Sequence, residues 1–230
     1  MPSSELYTAI SEPRFNRYLT ACNAIKGRAE ELYIANLHLS EKIYSVIGIF
    51  EFILRNAIDK HFTMVKGNQW LEDAVQPMGY LDNENCKNSF HSVQDAIHKL
   101  GTSYTHDGLI AKMTFGFWVY QFAEKDYVAA GSSLLSIFLN KPNGLRQKII
   151  FQNLFKINDL RNRIAHYEPI CFNKKTSDIS TVLVQRRYGS IMEMLNWLGY
   201  DPIKILTGID EVPKAIEQVN KIVTAVCYYR

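Results

Sequence analysis

The chain has 230 residues, of which 47% are hydrophobic and 21% charged, and it carries a formal net charge of +3. That balance supplies enough apolar material for a substantial buried core and excludes a disordered or low-complexity chain. Its four cysteines, Cys22, Cys86, Cys171 and Cys227, stand far apart, which fits neither a disulfide framework nor a zinc ribbon and suits a reducing compartment.

The opening residues, MPSSELYTAI, lack the basic start and apolar run of a signal peptide. The greasiest stretches, IYSVIGIF and LLSIFL, fall well short of a membrane span. The expectation is a cytoplasmic protein with no membrane partner. From Ser40 to Phe62 the apolar positions Ile43, Ile47, Phe50, Leu54 and Ile58 recur at helical steps, with Ser40 as the expected N-cap. Glu51, Arg55 and Asp59 follow at four-residue spacing on a neighbouring face, a candidate charge ladder. NENCKNSFHSVQDAIHKLG reads as a second helix ending at Gly101. GLIAKMTFGFWVYQFA and YVAAGSSLLSIFL read as buried helices interrupted by glycine, and KPNG, from Lys141 to Gly144, as a turn. A long helix then carries Ile150, Leu154, Ile157 and Ile164. Two more are expected at Ile179 to Leu198 and Glu211 to Tyr228, separated by LGYDPIKILTGIDEVP. No window alternates apolar and polar residues between hairpin turns, so no strand is expected. The pattern predicts a single all-α domain over residues 1–230.

Charge is unevenly spread. Lys141 to Lys175 holds eight basic residues against two acids, Asp159 and Glu168, so this segment is +6 and the remainder −3. Such a field suits an anionic partner, although a solvated helix face accounts for it equally well. There is no phosphate-binding glycine loop, no HExxH and no serine nucleophile elbow. His91, Asp95 and His98 share one helical face but lack a further ligand, so they read as a polar surface, and no metal or other cofactor is expected.

The dense stretch is DLRNRIAHYEPI, Asp159 to Ile170. Projected on a helix, Arg161 falls in line with Ile157 and Ile164, where a guanidinium is costly unless it is paired or opens onto a cleft. Either Glu51 or Asp59 answers it, or the cleft receives phosphate, which the forked donors of arginine suit. Asn162 and His166 are four apart and share a face. Pro169 disfavours helix at Glu168, which puts His166 in the last turn, where the helix dipole favours imidazolium.

LRNRIAHYEP resembles the Arg-Asn-x-x-x-His signature of the HEPN superfamily, small helical domains that include metal-independent ribonucleases. RFNRYL, ELYIANLHLSEKIYSVIGIFEFILRNAID, WLED, MTFGFWVYQF and DLRNRIAHYEPI, in order from Arg14 to Ile170, are similar to the Abi-like (abortive infection) branch. The resemblance implies a HEPN-like helical bundle with additional N- and C-terminal helices, and RNA cleavage with Arg161, Asn162 and His166 as catalytic residues. Glu51, Arg55, Asn56, Arg163, Tyr167 and Glu168 would be supporting or RNA-binding residues. Glu51 and Arg55 would pair across to the later motif. It implies a homodimer that brings two motifs together, an antitoxin or regulatory partner, and no cofactor. The branch often has a second histidine after the first; Tyr167 stands there in this chain, so no role for one carries over. The early LRNAIDKH also satisfies an Arg-x5-His spacing through Arg55 and His61, read as part of the Glu-x-x-x-Arg-Asn helix and not as a second active site. A non-catalytic RNA-binding or protein-interaction module, with Arg161, Asn162 and His166 as a structural network, is the competing reading.

Overall fold

In the computed structural model, which describes residues 9–227, the apolar periodicity of the sequence is realised as eleven α-helices and short 3-10 turns. They are α1 (Glu12–Ala21), α2 (Lys26–Lys66), α3 (Trp70–Asp73), α4 (Lys87–Leu100), α5 (His106–Lys112), α6 (Phe115–Tyr120), α7 (Glu124–Ala129), α8 (Gln147–Ala165), α9 (Val182–Trp197), α10 (Pro202–Ile205) and α11 (Val212–Cys227). The described residues contain no strand, only an isolated antiparallel bridge between Phe172 and Ile179. The fold class is all-α. No helix among the described residues is long and apolar enough to cross a membrane.

Two compact units result. Among the described residues, the first gathers 9–48, 159–191 and 203–227; the second gathers 49–158 and 192–202. In the first, α1 starts with a proline in its first turn and buries Phe15 and Tyr18. The Tyr18 ring meets Tyr33 and Phe172 edge-on, at 5.3 and 5.2 Å between centroids, the geometry that aromatic quadrupoles favour. The Arg17 guanidinium lies 4.4 Å over Phe172. Leu32, Leu39, Ile43, Val212 and Val219 complete this core.

In the second unit Phe50, Leu54, Ile58 and Phe62 of α2 are fully buried. Phe62 packs 4.7 Å from Trp70, whose indole N–H donates to Asp59 at 2.8 Å. Asp59 also bonds His106 at 3.0 Å. Its oxygen therefore serves these two rings, and the expected ladder with Arg55 is not what occupies it. Arg55 instead bonds Asn56 at 3.4 Å and stacks 4.8 Å from Phe52.

The predicted core positions Ile43, Ile47, Phe50, Leu54 and Ile58 are all buried, but Ser40 is no N-cap. The helix begins at Lys26, and the Ser40 hydroxyl donates to the Asn36 carbonyl at 2.8 Å, a back-bond that lets serine sit inside a helix. The stretch from Gly108 divides because Thr114 caps α6, its hydroxyl accepting from the Phe117 N–H at 3.4 Å. The stretch from Tyr127 breaks at Gly131 and Ser132, with φ of 99° and 56°. The later linker holds α10, and Tyr228, the expected end of the last helix, lies outside the described residues.

Candidate functional site

The end of α8 is built by a mismatch between its sequence and its cap. Helices commonly close on a residue in left-handed conformation, usually glycine. Here that residue is Tyr167, with φ of 55°. The Glu168 N–H donates to the Arg163 carbonyl at 2.8 Å and the Tyr167 N–H to Ile164 at 2.9 Å, the paired bonds of a Schellman motif. A tyrosine in this conformation stores strain of about 1–2 kcal/mol. Its ring is 74% exposed, so packing does not repay that strain.

Arg163 holds the turn. Its Nε donates to Glu168 at 3.1 Å and its Nη2 to the Pro169 carbonyl at 2.6 Å. The returning chain covers it until it is 7% exposed, deep enough that the charge needs these acceptors. Arg14 adds a bond to the Tyr167 carbonyl at 3.4 Å. One step further, the Asn36 side-chain oxygen accepts from the N–H groups of Ile170 and Cys171 at 2.9 and 3.2 Å. Burial pushes the neighbouring Cys171 thiol up to about 12.

Arg161 departs from the sequence reading. Leu160, not Arg161, fills the core after Ile157, while Arg161 is half-buried at the edge of the stripe. Both positions flank Ile157 on the helical wheel, and the apolar side chain takes the dry side. Arg161 bonds Asn162 at 3.4 Å, and its buried Nε has no hydrogen-bond partner among the described residues. His166 and Asn162 are exposed, with the His166 backbone N–H still donating to the Asn162 carbonyl at 3.0 Å.

Next to this helix end lies a groove of about 450 Å³. Leu37, Glu41 and Tyr44 of α2 form one side, and Ile164, Tyr167 and Glu168 form the other. Of the nine predicted site residues it takes Tyr167 and Glu168; Arg161, Asn162, Arg163 and His166 do not line it. Glu51, Arg55 and Asn56 belong to the second unit and are half-buried, half-buried and exposed. His61 of that unit bonds Ser133 at 2.8 Å and Ser136 at 3.2 Å, and burial and nearby Lys66 lower its pKa. His91, Asp95 and His98 are exposed along α4, and the described residues contain no metal-binding group of three or more His, Cys, Asp or Glu side chains.

Sequence reasoning missed Glu41, Tyr44 and Asn36. Asn36 had a signal, because it falls in the apolar stripe of Leu32, Leu39 and Ile43. Glu41 and Tyr44 had none, being ordinary residues on an outward face. Neither a protein-family model nor a curated protein nor a solved structure matches this chain.

Proposed function

We propose that this chain is a metal-independent endoribonuclease of the HEPN type, related to the Abi-like proteins, and that it acts in anti-phage defence or as a toxin under a regulatory partner. The observation that carries the reading is the end of α8. There an exposed histidine stands five residues from a half-buried guanidinium whose Nε has no acceptor among the described residues. The resemblance of LRNRIAHYEP supplies the chemistry.

In the proposed reaction the RNA 2′-hydroxyl gives its proton to a base and its oxygen attacks the adjacent phosphorus. The P–O5′ bond breaks, and the departing oxygen takes a proton from an acid, leaving a 2′,3′-cyclic phosphate and a 5′-hydroxyl. His166 serves as one of these groups, and His166 of a second copy in a homodimer serves as the other. Arg161 neutralises charge on the non-bridging oxygens, and Asn162 orients the phosphate.

The test is incubation of transfer and total RNA with the purified protein in EDTA, beside His166→Ala and Arg161→Ala variants shown by circular dichroism to be folded. Cleavage by wild type alone, with cyclic-phosphate ends, is the expected result. Equal cleavage by the variants would remove both residues from the site. A second reading, a non-catalytic binding module, draws on Arg163, whose bonds to Glu168 and Pro169 are structural. It predicts RNA or protein binding with no cleavage by any variant.

A further inference from the structure

We infer that the groove beside the end of α8 is a nucleobase pocket, and that it favours bases presenting hydrogen-bond donors, guanine above all. The inference rests on the RNA reading above and assigns that site a base preference.

Size and walls come first. A volume of about 450 Å³ falls within the range of about 300–1,000 Å³ typical of small-ligand sites. Leu37 and Ile164 supply apolar surface, and Tyr44 and Tyr167 supply two phenol rings. Leu37, Tyr44 and Tyr167 are 43%, 41% and 74% exposed, so their apolar surface is unspent. Flat aromatic surface of this kind stacks bases of any sequence. Tyr167 is also the residue held at positive φ. A glycine would close the helix there without strain, so the ring is kept for something other than the fold.

Charge then selects what can enter. Glu41 and Glu168 bring carboxylates to the groove; Arg163 lies 3.1 Å from Glu168, while Glu41 shares Lys42 with Glu211, at 3.1 and 2.9 Å. The carboxylates offer hydrogen-bond acceptor capacity, with Arg163 and the shared Lys42 offsetting part of their charge. A phosphate entering the groove meets the carboxylates of Glu41 and Glu168, which repel it. A lysine or arginine of a peptide must displace Lys42 or Arg163 from these carboxylates. A base edge is flat and neutral, and its donors match acceptor-only groups. Guanine offers two adjacent donors on its pairing edge; cytosine and adenine offer one amino group. Uracil offers one ring N–H between two carbonyls, which carboxylates repel.

The test is calorimetric binding of GMP, AMP, CMP and UMP, as 3′-monophosphates, to the full chain, with an arginine-rich peptide as the competing ligand. GMP is expected to bind at least about tenfold more tightly than UMP. Tyr44→Ala should weaken GMP about tenfold, within the span that loss of one stacking ring produces. Glu41→Gln, which leaves the Arg163–Glu168 pair intact, should narrow the GMP to UMP ratio. Equal binding of all four nucleotides, no binding at millimolar concentration, or preference for the peptide would each overturn the inference. The measurement does not depend on cleavage. GMP selectivity in a chain that cuts no RNA keeps the pocket and removes the nuclease; RNA cutting with no GMP preference does the reverse.

Discussion

The two units differ in what they leave unsatisfied. In the first, Arg17, Arg161, Arg163 and Arg187 each bury a guanidinium nitrogen that has no hydrogen-bond partner among the described residues. In the second, the corresponding groups are one ring nitrogen of His106, whose other nitrogen bonds Asp59, and the neutral N–H donors of Trp118 and Gln121. A neutral donor is satisfied by one buried water, whereas a charged donor gains most from an anionic acceptor. Burial lowers the Arg187 pKa further, with Arg186 adding to the effect. Among the described residues the unpartnered arginine nitrogens lie in the first unit, which also holds Arg161 to Glu168. The comparison teaches that an anionic ligand has something to contribute there and little to contribute in the second unit.

Replacing one residue from each group breaks or sustains that contrast. Arg163→Met should destabilise the protein by about 3 kcal/mol, since it strips a charge-assisted bond from Glu168 and a bond from Pro169. Gln121→Met, at a fully buried site, should cost about 1 kcal/mol, because losing the acceptor of the Tyr80 hydroxyl is offset by removing an unpartnered amide nitrogen. Urea denaturation of both variants gives the two values, and equal losses would erase the distinction.

Asn36→Leu should cost about 2 kcal/mol by leaving the Ile170 and Cys171 N–H groups unpaired. The same denaturation measures it. Tyr167→Gly should stabilise the chain by about 1 kcal/mol through relief of the left-handed cap, while weakening nucleotide binding. A more stable variant with undiminished GMP affinity would separate the strain from the pocket.

The smallest effect concerns pH in the second unit. Burial raises the pKa of Asp126 above the ordinary carboxylate value, partly offset by its bonds to Ser89 and Cys86. A folded-state value above the unfolded one means the folded protein holds the proton more tightly. This contribution is complete below about pH 4, where the unfolded carboxyl is protonated, and is lost as pH rises through the raised value. Asp126→Asn should flatten that part of the profile, seen as urea midpoints that change less from pH 4 to 7 than in wild type.

Much of the framework was legible in the residues. The stripe from Ile43 to Ile58 and the positions Ile150, Leu154 and Ile157 are core because a helix returns to the same face every three to four residues, wherever its neighbours lie. The start of α2 was less legible, since Ser40 is as good an N-cap by type as it is an interior residue when its hydroxyl bonds the preceding turn. At the candidate site the sequence could offer residue types and spacing, and a resemblance, but not burial.

By itself, then, the sequence determined an all-α chain, most of the core faces of its long helices, and a basic stretch ending in Arg161, Asn162 and His166. Only the tertiary structure decided that Arg163 is the buried arginine and Arg161 the half-buried one. Their own helix points the other way, with Arg161 in line with the stripe; the chain returning through Glu168 and Pro169 covers Arg163 instead. The groove was decided in the same way, because its two sides come from residues 37–44 and 164–168, and no local pattern encodes which distant segment will face which.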